Sequence, residues 1–165
     1  QNDLEGKYNM TMLSKYFSLK EMTVSETARR RGLRNEPKET EYQYKNLQKT
    51  CAYLDIIREH VGAPIVISSG LRMPEVNRAV GGAANSAHVH GSAADIGCPA
   101  LTDIQLFKKI MELKDKIPFD QVILEYPERG VGAWVHVGFQ HNSTPRGQFF
   151  VISKTNKNLS YWLNK

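Results

Sequence analysis

Ser86-Ala87-His88-Val89-His90-Gly91-Ser92-Ala93-Ala94-Asp95-Ile96-Gly97 is the stretch on which the reading of this chain turns. It sets two imidazoles and a carboxylate among residues too small to build a core. It also closes a tract, Arg72 to Ala94, rich in Gly, Ala, Ser and Asn. A long small-residue loop inside a compact domain is usually functional. Histidine and carboxylate are ligands for first-row metals, and an open catalytic zinc takes three protein ligands with a water in the fourth position. A further donor stands in Trp134-Val135-His136-Val137, where an inward imidazole on a valine-rich strand needs a partner. His88, Asp95 and His136 satisfy the count, with His90 a rival for the first place. Gly91 and the alanines let the backbone turn closely between the first two donors. Taken singly, each residue also has a plain structural reading: a surface or core histidine, or an aspartate capping a turn.

Working outward, Ile65-Val66-Ile67-Ser68-Ser69 is a β-branched run bounded by Gly62-Ala63-Pro64 and Gly70, as a buried strand would be. Before it, Tyr44, Leu47, Cys51, Leu54, Ile57 and Val61 recur near a 3.6-residue period, which predicts a helix from Thr40 to Val61. Leu13 to Leu33 predicts short helices capped by Ser18 and Ser25, and Asn35-Glu36-Pro37 breaks them. Downstream, Ile104, Phe107, Ile110, Met111 and Leu113 predict a helix over Asp103 to Lys116, capped by Thr102 or Asp103. Phe119 to Glu125 and Ala133 to Phe139 alternate like the strands of a hairpin around a turn holding Pro127, Arg129, Gly130 and Gly132. Past Gln140 come a polar segment with Pro145 and Gly147, the apolar run Phe149-Phe150-Val151-Ile152, and Tyr161-Trp162-Leu163.

A length of 165 residues, 41% hydrophobic and 24% charged, suits one globular domain spanning 1–165. Lys plus Arg number 22 against 17 Asp plus Glu, a net charge of +5, which favours anionic surroundings. Arg29, Arg30, Arg31 and Arg34 are not interleaved with aromatics. Cations at a helix end before Gly32 explain them, so no nucleic-acid partner is expected. Cys51 and Cys98 could form one bridge or remain free; the apolar helical setting of Cys51 favours free thiols. No stretch approaches the 18 or more apolar residues of a membrane span. Gln1-Asn2-Asp3-Leu4-Glu5 carries no signal-peptide pattern in the chain as given.

Five ordered segments then decide between these readings: Ser68-Ser69-Gly70-Leu71-Arg72, Asn77 through Val80-Gly81-Gly82-Ala83, Ser86-Ala87-His88 to Gly91, Ala94-Asp95-Ile96, and Trp134-Val135-His136-Val137. Together they resemble the successive motifs of the M15 family of zinc peptidases, over about Phe17 to Phe139. That family contains D-alanyl-D-alanine carboxypeptidases, dipeptidases and phage endolysins, and shares its core with the signalling domain of Hedgehog proteins. The resemblance implies one zinc ion on His88, Asp95 and His136, with His90 at a position the family varies. The acid that several members carry three residues before the last histidine is Ala133 here. The resemblance therefore implies Glu125, at the end of the preceding strand, as the base, with Asp120 and Glu128 as alternatives. Arg72 resembles the arginine that binds the scissile carbonyl oxygen or a substrate carboxylate. Ser86 resembles a substrate-bonding serine, or else caps the loop, and Trp134 stands where a wall of the pocket is expected.

The expected fold is α+β, Hedgehog/DD-peptidase-like: N-terminal helices on a small, mainly antiparallel sheet carrying the zinc, with 140–165 as a C-terminal extension. The expected activity is that of a zinc-dependent D,D-carboxypeptidase or endopeptidase acting on peptidoglycan stem peptides or cross-links next to D-alanine. The alternative is a zinc-containing, non-catalytic cell-wall or protein-binding module of the same fold. The expected setting is a monomer in the cell envelope or periplasm, secreted, or encoded by a phage as a lytic protein.

Overall fold

Hydrogen-bonding side chains set the helix starts. The computed structural model describes residues 10–165, so the opening Gln1–Glu5 lies outside the described residues. Ser18 and Glu21 form a reciprocal capping box at α1 (Leu19–Thr23), and the Ser25 side chain accepts from Ala28 N at α2 (Glu26–Arg31). Gly32 ends α2 in the left-handed region, with Arg29, Arg30 and Arg31 in the last turn. These arginines are partly paired: Arg29 and Arg30 meet Glu26, and Arg34 meets Glu41. The long helix α3 (Tyr42–Val61) starts two residues later than its periodicity predicts, because the Glu41 carboxylate accepts from Lys38 N and Arg34 instead of capping it.

The sheet has five strands in the order β1-β2-β4-β3-β5: β1 (Val66–Ser69), β2 (Ala93–Gly97), β3 (Phe119–Glu125), β4 (Trp134–Phe139) and β5 (Gln148–Ile152). Neighbours are antiparallel except β5, which runs parallel to β3. The expected hairpin forms, from Phe119 opposite Phe139 to Glu125 opposite Trp134. Its turn is a 3-10 segment, Pro127–Gly132.

Two expectations need correction, and one holds. The Arg72–Ala94 tract is not all loop: it contains α4 (Pro74–Ala79), a 3-10 turn (Ala87–His90) and the start of β2. The sheet is mainly antiparallel, as expected, and the apolar run at Phe149 adds β5 as its one parallel partner. The helix starting at Asp103, α5, stops at Met111, because Leu113 N bonds back to Ile110 O and tightens the chain into turns. Its cap is settled on Thr102, in a capping box with Gln105.

Side-chain alternation divides the sheet. Ala94 and Ile96, Val135 and Val137, and Val122 and Leu124 point into a core shared with Leu54 and Ile57 of α3 and Phe107 and Ile110 of α5. Val151 of β5 and Trp162 of the last helix, α6 (Leu159–Leu163), join the same core. Cys51 and Cys98 are separate, buried free thiols, and burial pushes the Cys51 thiol up. No described helix is long and apolar enough to cross a membrane. The opposite face of the strands is left for Asp95, His136 and Glu125.

Candidate active site

Asp95 on β2 and His136 on β4 are directly paired in the ladder, which puts both side chains on one face of the sheet. His136 Nδ1 lies 3.0 Å from Asp95 Oδ1, and His88 Nε2 lies 3.3 Å from the same oxygen. One donor atom from each residue falls within 4.8 Å of the others. Donors at about 2.0–2.1 Å from a tetrahedral zinc stand roughly 3.3 Å apart, so the spacing and the donor chemistry fit that ion.

His88 reaches this position from the 3-10 turn. Its Nδ1 lies 2.7 Å from Gly70 O; Nδ1–H donates to that carbonyl and leaves Nε2 toward Asp95. Gly91 closes the turn at φ +72, where a Cβ would also stand 2.8 Å from Gln43 O. Burial alone would raise the Asp95 carboxyl, but hydrogen bonds with His136 and His88 overcome it and hold the group well below the usual carboxylate range. His90 stands apart from the three donors at the exposed rim, with its Nδ1 2.8 Å from the Tyr42 hydroxyl.

The three donors sit in a cleft of about 770 Å³ that also holds Arg72, Ser86, Glu125 and Trp134. Ser86 Oγ accepts from His88 N, which caps the turn, and from Arg72 Nη2. Arg72 also donates through Nε to Asn77 Oδ1, 3.1 Å away, and no protein partner among the described residues engages Nη1. Asn77 is buried, and its Nδ2 donates to Ala83 O. In the sequence Asn77 stands in a motif segment with no chemistry of its own to mark it; the signal is the nearby Gly82, where a Cβ would collide with the Asn77 side chain.

Glu125 is half-buried, at the end of β3, on the cleft face. Burial first, and then the negative charge of Asp95, push its carboxyl up to about 6 against the opposing pull of His136 and Arg72. The other acids are placed differently. Asp120 lines the far arm of the cleft but is engaged by Arg146, and Glu128 accepts from Lys154 N on the turn. Ala133 lines a separate apolar groove with Val66 and Cys98 and does not face the cleft.

Comparison with protein-family models matches residues 15–138 to the family described as Peptidase M15. A search of curated proteins finds no significant match. The matched span takes in His88, Asp95 and His136 together with Arg72, Ser86, Glu125 and Trp134. Some three quarters of the chain thus aligns with the family, including every donor of a site that fits zinc, and the chain belongs to the M15 peptidases, which are zinc-dependent hydrolases.

Proposed function

We propose that this protein hydrolyses a peptide bond in peptidoglycan stem peptides or cross-links, next to a D-amino acid, with one zinc held by His88, Asp95 and His136. The observation that carries the reading is the position of Glu125, a half-buried carboxyl on the cleft face that also bears Asp95 and His136. Zinc bound there supplies Lewis-acid polarisation of the scissile carbonyl and brings the pKa of a water toward 7. Glu125 accepts the proton of the attacking water and returns it to the leaving amine. Arg72, held at Nε by Asn77 and at Nη2 by Ser86, presents Nη1 to the developing oxyanion or to a substrate carboxylate. Ser86 and Trp134 line the cleft walls against the substrate.

The test is Glu125→Gln, measured as peptide fragments released from purified peptidoglycan together with zinc content. Loss of release with zinc retained supports catalysis. A wild-type protein inert on every wall substrate favours the non-catalytic binding module instead.

A further inference from the structure

The cleft does not end at the metal donors. Beyond His136 its floor continues over Gly138 and Gln121 to a far arm formed by the 140–147 segment. That segment is built onto the sheet. Gly147 N donates to Phe119 O, His141 stacks on Phe139 and Tyr53, and His141 Nε2 lies 2.9 Å from Thr50 Oγ1. At its centre, Asp120 accepts from Arg146 N (2.9 Å), Arg146 Nε (2.9 Å), Arg146 Nη2 (2.7 Å) and Gln140 Nε2 (3.3 Å).

The two partners of this ion pair differ in access. The Asp120 side chain is 4% exposed and saturated with donors, whereas that of Arg146 is 52% exposed and lines the cleft. A guanidinium has five N–H donors in a planar fork. Asp120 occupies Nε and one side of Nη2, which locks the plane and leaves the outer edge, Nη1 with the rest of Nη2, without a hydrogen-bond partner among the described residues. That edge is the one that binds a carboxylate bidentately. Lys49 adds positive charge beside His141, whose pKa is lowered by burial first and by Lys49 second. The cleft therefore carries an arginine at each end: Arg72, close enough to lower the Glu125 pKa, toward Trp134, and Arg146, held by Asp120, toward Gly138.

We propose that Arg146 forms a carboxylate subsite that selects peptides bearing an acidic group two or three residues from the cleaved bond. The distance follows from the ladder. Ile123 is opposite His136, and Asp120 lies in the β3 irregularity between the positions opposite Gly138 and Phe139, two to three residues along the ladder or about 7–10 Å at roughly 3.3 Å per residue. An extended substrate covers that span in about two to three residues. The subsite rests on the peptidase reading above, and its arginine lies past residue 138, where the family match ends.

The experiment measures binding, so that cleavage is a separate readout. Zinc-loaded Glu125→Gln protein is titrated calorimetrically with C-terminally amidated peptides. Each carries a single carboxylate, or its carboxamide, at the second or third residue on either side of the bond. At one position the carboxylate peptide binds about tenfold tighter or more. The preference weakens with added salt, falls in Arg146→Lys, which keeps charge but loses the fork, and vanishes in Arg146→Gln. Carboxylate and carboxamide binding equally at every position overturns the subsite, and this comparison leaves the Arg146–Asp120 pair untouched. A preference retained in folded Arg146→Gln overturns the assignment to Arg146. Should the preference appear while wild-type protein cleaves none of the peptides, the subsite stands and the catalytic reading falls.

Discussion

Glu125 and Trp134 stand directly opposite one another at the ends of β3 and β4, and the buried indole N–H of Trp134 has no hydrogen-bond partner among the described residues. The indole is near enough to draw the Glu125 pKa down slightly, yet it makes no bond of proper geometry with it. Tyr126 and Arg129 hold the indole from the turn side, with the guanidinium 4.1 Å from the Tyr126 ring centre and 5.8 Å from that of Trp134. Tyr126 adopts the left-handed region at φ 53, a strained position for a non-glycine residue, immediately after Glu125.

The raised Glu125 pKa carries both an activity prediction and a stability prediction. A base must be ionised, so kcat/KM falls as pH drops through the pKa of Glu125, about 6 in the metal-free chain and lower once a cation is beside it. Trp134→Phe removes the indole donor and moves that acid limb upward. For stability the sign is opposite to that of a salt-bridged carboxylate. The folded pKa lies above the ordinary 4.5, so the stability contribution is full below that value and is lost as pH rises through about 6. Zinc-free Glu125→Gln therefore melts above zinc-free wild type at pH 8, by about 1 kcal/mol after allowance for solvent screening, and level with it at pH 4. Thermal melts at the two pH values check this; equal melting at both would remove burial as the cause of the shift.

Gly138 keeps space for the His136 ring. A Cβ there would stand 3.0 Å from His136 Nε2 and 3.5 Å from Gln121 O, although the backbone itself is not left-handed. Gly138→Ala thus presses on a metal donor without straining the strand. Zinc affinity, measured by chelator competition, drops about 10- to 100-fold, the range typical of disturbed ligand orientation. Zinc-free melting stays within about 1 kcal/mol of wild type. Unchanged affinity would mean that the imidazole has room to move aside.

What could be read from the chain beforehand follows from where its physics is local. Helix starts at Ser18, Ser25 and Thr102 rest on side chains within three residues of the backbone groups they satisfy. The β3–β4 hairpin shows period-2 alternation and a glycine-bearing turn. By contrast β2, Ala-Ala-Asp-Ile-Gly, alternates only over Ala94-Asp95-Ile96 and has a single β-branched residue. Its strand character comes from pairing with β1 on one side and β4 on the other. The parallel partner β5 is likewise specified by non-local packing. In the site, donor types left His90 open beside His88, and the resemblance to the M15 motifs singled out His88, Asp95 and His136. The Asn77–Arg72 bond and the Arg146–Asp120 pair join segments 5 and 26 residues apart and leave no periodic trace.

Asn77 orients Arg72 from beneath. Its Oδ1 accepts from Arg72 Nε while its Nδ2 donates to Ala83 O, and a Cβ at Gly82 would collide with its side chain. Asn77→Ala leaves the half-buried Arg72 Nε–H and the exposed Ala83 carbonyl without their side-chain partner and costs about 1 kcal/mol for each lost bond. Asn77→Asp keeps the acceptor for Arg72 but loses the donor to Ala83 O, so it recovers more activity than stability. Peptide-release rates compared with urea midpoints separate the two effects. Parallel loss of rate and stability in both variants would reduce Asn77 to a scaffold role.

Zinc itself stabilises the fold through donors that meet only in the folded chain. His88 arrives from the 3-10 turn, Asp95 from β2 and His136 from β4, so the unfolded chain has no formed site. Binding to the native state alone adds about 4 kcal/mol when free zinc is a thousandfold above its Kd. A chelator lowers the wild-type melting temperature, and added zinc restores it. In His88→Ala the melting temperature loses this zinc dependence, while His90→Ala responds as wild type does, because His90 bonds to the Tyr42 hydroxyl at the rim and stands apart from the donor group. Melting curves with and without chelator for the three proteins decide the matter. A zinc response lost in His90→Ala and kept in His88→Ala would move the first donor from His88 to His90.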